Sequence, residues 1–172
     1  VTDYSDPATR EGLRAQTLEA VAKYKDTPGV LMWLLGNENN YGLSWSGFEI
    51  QNLPEGERDA ARATYLYSLM GELTDAIHAA DPNHPVALAN GDLQYIDLIA
   101  SEVPNLDIMG SNVYRGLSAR DLYQVVEDKL GIPFVYSEFG ADAYDAKLDR
   151  EDHVTQARYV GAQWMDIYKN AY

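Results

Sequence analysis

Along the 172 residues of this chain the spacing of apolar positions changes several times, and each change predicts an element. Asp6 followed by Pro7 pairs an acidic N-cap with a proline suited to the first helical turn. Leu13, Leu18, Val21 and Ala22 then recur at helical spacing, and DTPG at 26–29 ends the run. The apolar stretch VLMWLL at 30–35 does not alternate, which predicts a strand buried on both faces. A polar, aromatic-rich loop follows. Helical periodicity returns over 55–80, with Tyr65, Leu66, Leu69, Leu73 and Ile77 facing inward, until DPNHP at 81–85 breaks it. VALAN at 86–90 predicts a short strand and 93–101 a helix. The alternation repeats with a strand over 106–114 and a helix over 117–130, opened by Ser118 and Asp121 in capping-box spacing. A strand over 134–138 and a last helix over 149–170 complete it, with Trp164 expected to pack on the sheet. Strands alternating with helices in this way imply an α/β fold with a parallel sheet, either doubly wound or a barrel.

Polar residues gather where each strand ends: Asn37 and Glu38, Asn90 and Asp92, Asn112 and Tyr114, Ser137 and Glu138. In parallel α/β folds that edge carries the site, because the loops leaving the strands converge there. Asn90 stands before a glycine and also reads as a turn residue. Glu38 and Glu138 are each the first ionisable residue after an apolar strand. Either could cap a helix, although Asp and Asn do so better, or could pair with Arg115. Two carboxylates facing across a cleft are also the minimal apparatus for cleaving an acetal. One protonates the departing oxygen while the other attacks the anomeric carbon.

Composition removes several classes of partner. The chain has 13 basic and 27 acidic residues, a net charge of −14, which repels phosphate backbones and anionic membrane surfaces. Neither nucleic acid nor a membrane is therefore expected as a partner. No apolar run reaches the length of a transmembrane helix, and the first ten residues do not read as a signal peptide. The absence of cysteine excludes disulfides and thiolate chemistry. An acidic, cysteine-free chain suits a periplasmic or secreted location without requiring one.

Three segments carry a family resemblance. WLLGNE at 33–38 resembles the strand-four signature of clan A retaining glycoside hydrolases, and YSEFG at 136–140 resembles their strand-seven signature. LDIMGSNVYRG at 106–116 resembles the strand-six segment of glycoside hydrolase family 2. The resemblance spans the whole chain and implies a TIM-type (β/α)8 barrel, present as a partial barrel of four parallel strands with flanking helices. Strands one to three and eight would come from elsewhere in the same or another chain.

The resemblance further implies Glu38 as acid/base and Glu138 as nucleophile, acting on a carbohydrate with β-linked sugars. Asn37 would bind the 2-hydroxyl of the sugar and Tyr114 would hold Glu138, with Asn112 in the same substrate-binding set. Transfer to a second sugar is an alternative outcome of that site, and a non-catalytic carbohydrate-binding fragment is another. The chain departs from family 2 after Tyr114, where Arg115-Gly116-Leu117 stands in place of Gly-Trp-Tyr.

Tyr41 and Trp45, in the loop after Glu38, are candidate rings for stacking on sugar, as are Phe48 and Tyr144. Loop packing is the competing reading for all four. Trp33 is expected in the core. Arg115 would meet either an acidic sugar or a neighbouring carboxylate. Asp142, Asp145, Asp149 and Asp152 lack the spacing of a calcium loop and read as a solvated loop with a helix cap. His78, His84 and His153 show no zinc-binding spacing and read as structural. The chemistry calls for no cofactor and no metal.

Overall fold

The structure, a computed structural model, describes residues 1–170. In α1 (Pro7–Tyr24) the Asp6 carboxylate accepts the Thr9 backbone N–H at 2.8 Å, satisfying one of the first-turn donors. The elements that follow are β1 (Trp33–Leu35), α2 (Phe48–Gln51), α3 (Arg58–Ala80), β2 (Val86–Leu88), β3 (Asn90–Gly91), α4 (Ile96–Glu102) and β4 (Met109–Val113). Then come α5 (Leu122–Lys129), β5 (Phe134–Phe139), a hairpin of β6 (Tyr144–Asp145) and β7 (Arg150–Glu151), and α6 (His153–Asn170).

The main strands are parallel and lie in chain order. β1 pairs with β2, β3 with β4, and β4 with β5. β2 and β3 are one predicted strand interrupted at Ala89, and a parallel bridge from Ala87 to Ile108 joins the two halves of the ribbon. The helices follow the same order, α1 against α3, α3 against α4 and α4 against α5.

From α3, Leu66, Leu69, Leu73 and Ile77 are buried as their spacing predicts, with Tyr65 at the margin of the core. Burying each such aliphatic side chain contributes about 1.5–3 kcal/mol before entropy is subtracted. At Gly71 a Cβ would run into the Glu102 carbonyl, so α3 and α4 meet backbone to backbone there.

The N-terminal edge of the sheet is tied by two aspartates. Buried Asp81 accepts the Trp33 indole N–H at 2.9 Å and lies 2.7 Å from His84 Nδ1. Asp107 accepts the Val86 N–H at 2.7 Å and meets His78 Nε2 at 2.7 Å. Trp33, His78 and His84 thus serve structure, as expected.

Several expectations need correction. β1 is not buried on both faces. Among the described residues it has a partner on one side only; Leu34 is 48% exposed, and Leu31, two residues before the strand, is 72% exposed. β5 forms the opposite edge, and Trp164 stands 57% exposed beside it instead of packing against the sheet. The helix expected from 117 starts at Leu122, because Arg120 takes a left-handed φ of 57°. No capping box forms there; Ser118 Oγ donates to Asp166 Oδ1 at 3.2 Å and accepts the Arg120 N–H at 3.0 Å. Residues 149–151 belong to the turn and second arm of the hairpin, and Asp152 caps α6 through the Thr155 N–H at 2.9 Å. Among the described residues no helix is long and apolar enough to cross a membrane.

Candidate active site

The C-terminal edge of the sheet gathers the residues singled out at the strand ends. Ser137 Oγ donates to Asn112 Oδ1 at 2.6 Å, and Asn112 Nδ2 donates to Asn37 Oδ1 at 3.1 Å. Asn112 is only 2% exposed, with both ends of its amide engaged. It therefore does not face a ligand as expected, but orients Asn37, whose side chain is exposed and keeps its own Nδ2 donor.

Glu138 owes its placement to an irregularity in β5. Ser111 pairs with Tyr136 and Asn112 with Glu138, so Ser137 is an extra residue in the ladder. Such bulges re-aim the side chain that follows. Tyr114 OH donates to Glu138 Oε2 at 2.7 Å. This bond, then burial and the negative charges of Glu138, Glu38 and Asp142, push the Tyr114 phenol up to about 12. Both glutamates and Asp142 therefore act electrostatically on one hydroxyl. Gln163 from α6 steadies the two loops, donating to the carbonyls of Gly116 at 2.5 Å and Gly140 at 2.9 Å. Beside Tyr114 lies an open cavity of about 400 Å³ lined by Gly116, Gly140, Ala141, Asp142 and Tyr159.

Glu38 sits on a left-handed backbone, φ 51° and ψ 30°. That conformation costs roughly 1–2 kcal/mol for a residue with a Cβ. Its surroundings hold it there. The Glu38 N–H donates to the Ala89 carbonyl at 2.8 Å, and its own carbonyl accepts the Tyr41 N–H at 2.9 Å. Asn39 Oδ1 accepts the Asn37 N–H at 2.9 Å, while Asn39 Nδ2 donates to the Tyr4 hydroxyl at 2.9 Å. Asn40 is buried, and its amide clasps Gly91 from both sides. Oδ1 accepts the Gly91 N–H at 2.7 Å, and Nδ2 donates to the Gly91 carbonyl at 3.0 Å. The run of asparagines around Glu38 is thus a scaffold for the carboxylate.

The remaining candidates divide. Tyr41 is 59% exposed and lies over Gly91, where a Cβ would strike its ring. Burial, then the charges of Asp92 and Glu38, raise its phenol, which places the ring beside the acidic edge. Trp45 is a correction. Only 4% exposed, it packs edge-to-face on Tyr4 at 5.3 Å and offers no ring face to a ligand. The loop carrying it folds back over α3, where Arg62 Nε donates to its carbonyl at 2.9 Å.

Arg115 is engaged by Asp92, with Nε 2.8 Å from Oδ2 and Nη2 2.5 Å from Oδ1. Asn90 is not a turn residue but a buried residue of β3, its side chain accepting from the Tyr67 hydroxyl at 2.6 Å and donating to the Asp92 carbonyl at 2.9 Å. Phe48 is exposed on α2, and Tyr144, also exposed, hydrogen-bonds Asp149. Asn40 and Gln163 were not legible as site residues in the sequence; the only signal for Asn40 was the density of amides around Glu38.

No family model matches the chain. The fold is shared with segments of solved glycosidases. The β-glucuronidase of Bacteroides uniformis superposes with a TM-score of 0.71 at 18% identity, over 99% of this chain and 21% of that one. A family 2 β-galacturonidase from Eisenbergiella tayi bound to galacturonate gives 0.64 at 16% identity, over 95% and 28%. The β-D-glucuronidase of Dictyoglomus thermophilum gives 0.65 at 18%, over 95% and 27%. In sequence, a probable mannan endo-1,4-β-mannosidase C of Aspergillus terreus is 29% identical over 83 residues, covering 48% of this chain and 19% of that protein. The chain therefore spans less than a third of each of these proteins. Its likeness to family 2 glycosidases is a likeness of fold.

Proposed function

We propose that this chain carries the catalytic pair of a family 2-like retaining glycoside hydrolase acting on β-linked sugars. The observation that carries the reading is the Tyr114–Glu138 hydrogen bond at 2.7 Å, on a phenol that also feels Glu38. A carboxylate held by a phenol donor at the C-terminal edge of a parallel sheet suits a nucleophile. Glu138 attacks the anomeric carbon while Glu38 delivers a proton to the glycosidic oxygen, and the alcohol leaves. Glu38 then takes a proton from water, water attacks the anomeric carbon, and the ester to Glu138 breaks to regenerate the carboxylate. Asn37, aimed by Asn112, donates to the sugar, and Tyr41 borders it. A second sugar in place of water makes the same site a transferase.

The chain-order parallel strands and sequential helices suit a segment of a (β/α)8 barrel. The bare outer sides of β1 and β5, with Leu34 and Trp164 exposed, suit continuation of the sheet by further strands.

A 2-deoxy-2-fluoro glycoside with an activated leaving group tests the reading on the full barrel-containing protein. One sugar mass should appear on Glu138, and none on the Glu138→Gln protein. A folded protein that forms no adduct with glucosides, galactosides, mannosides or glucuronides would instead be a carbohydrate-binding relative without turnover.

A further inference from the structure

We infer that Asn40 is a positioning residue for the acid/base carboxyl of Glu38, an inference that rests on the function proposed above. The backbone leaves β1 at Leu35, turns left-handed at Glu38 and continues in a 3-10 turn over Asn39–Tyr41. Across the sheet β3 goes on to Gly91, whose N–H is taken up by Asn40 and whose carbonyl has otherwise only the long 3.4 Å bond from Asn90 Nδ2. The Asn40 amide takes the place of a strand, closing two bonds to Gly91 and a third, at 2.9 Å, to Gln94 Oε1.

Gly91 is also the register partner of Asn112, the residue that holds Asn37. The residue before Glu38 and the second residue after it are therefore anchored to one rung of the sheet. Glu38 is suspended between these two anchors, and a short span pinned at both ends keeps its backbone dihedrals. The backbone bonds of Glu38 to Ala89 and Tyr41 act with these anchors, Asn39 binds the Asn37 N–H, and Tyr41 rests on Gly91. Asn40 itself touches no ligand, since it is 4% exposed. Its effect reaches the reaction through the aim of the carboxyl, where a misplacement of about 1 Å is enough to cost a hundredfold in rate.

Leaving-group chemistry separates this role from simple stabilisation. A dinitrophenolate departs without a proton, whereas an alkoxide needs one, and proton delivery contributes about 10²–10⁴-fold. In the full-length protein, Asn40→Asp keeps an acceptor for the Gly91 N–H and loses both donated bonds. Its kcat/KM for an alkyl glycoside should fall roughly thirtyfold or more, within the range available to proton delivery. Its kcat/KM for the dinitrophenyl glycoside should change by less than about twofold, since that step needs no acid. Added azide, which attacks the glycosyl-enzyme without a base, should raise kcat on the dinitrophenyl substrate and yield the glycosyl azide.

Leu73→Ala, a core truncation in α3, serves as the destabilised control and should affect both substrates alike. Equal losses on both substrates for Asn40→Asp would overturn the inference. Should that protein fail to fold, Gln94→Ala on the exposed side of the clasp carries the same comparison, with a smaller selectivity in the same direction because it removes only one of the Asn40 bonds. Glu38→Gln is measured in parallel. If it shows the selective loss and the clasp variants do not, only the inference falls. If Glu38→Gln is itself unselective, the acid/base assignment beneath it falls.

Discussion

Under the proposed double displacement, removing the Tyr114 hydroxyl as Tyr114→Phe should slow the second half of the reaction more than the first. The hydroxyl makes one bond of 2.7 Å to Glu138. A hydrogen bond to a charged group is worth about 1.5–3 kcal/mol. Tyr114 is 56% exposed, so solvent screening lowers the figure to about 1–2 kcal/mol. The bond is strongest when Glu138 carries full negative charge, before attack and after release of the sugar. In the first step that charge is consumed, and loss of the donor weakens the reactant as well as the transition state. In the second step the carboxylate is the leaving group and its charge develops, so the donor lowers that barrier directly.

With an activated aryl glycoside, whose second step limits turnover, kcat should fall roughly five- to thirtyfold, the equivalent of 1–2 kcal/mol. KM should fall with it as the glycosyl-enzyme accumulates, leaving kcat/KM little changed. Steady-state kinetics with a pre-steady-state burst measures both. An unchanged kcat with a raised KM would refute the reasoning, for it would make Tyr114 a ground-state sugar contact.

Three further outcomes are expected. Gly71→Ala gains about 1 kcal/mol of helix propensity but forces a methyl against the Glu102 carbonyl, an overpacking cost of about 1–3 kcal/mol, so the urea midpoint should fall. Burial works to raise Asp92 and Asp107, yet hydrogen bonds from Arg115 and Leu93 to the first, and from Val86 and His78 to the second, hold both below the ordinary 3.8. Depressed folded values contribute stability above pH 3.8 that is lost as pH falls through them, and Asp107→Asn should flatten that acid limb in denaturation curves. Tyr41→Ala should raise KM with little change in melting temperature, whereas Trp45→Ala should cost about 3–5 kcal/mol of stability, as expected for a buried aromatic truncation; thermal melts beside kinetics separate the two.

The alternation of elements was legible because periodicity is local. The cap at Asp6, the inward face of α3 and the four strand ends all follow from spacing within one segment. What was not legible depends on partners distant in sequence. Nothing in YSEFG announces that Ser137 bulges, since a bulge exists only against the register of β4. Trp45 and Tyr41 share a loop of one composition, and only the fold-back onto Tyr4 decides which ring is buried. The run at 30–35 has the apolar content of an interior strand, but its exposure depends on what lies beside it, and among the described residues β1 has a neighbour on one side only. Asn40 has the composition of any loop amide, and only its place across from Gly91 gives it a partner.

The left-handed backbone at Glu38 sets the interests of the fold against those of the reaction. A glycine there would relieve most of the conformational cost, and an asparagine part of it. A redesign that scored this chain by stability alone would therefore favour removing the Glu38 carboxyl, the acid/base of the proposed reaction. Directed evolution toward heat resistance, run without selection for turnover, should drift the same way. Thermostabilising libraries for this protein accordingly need position 38 held constant, together with the amides that let a glutamate occupy it.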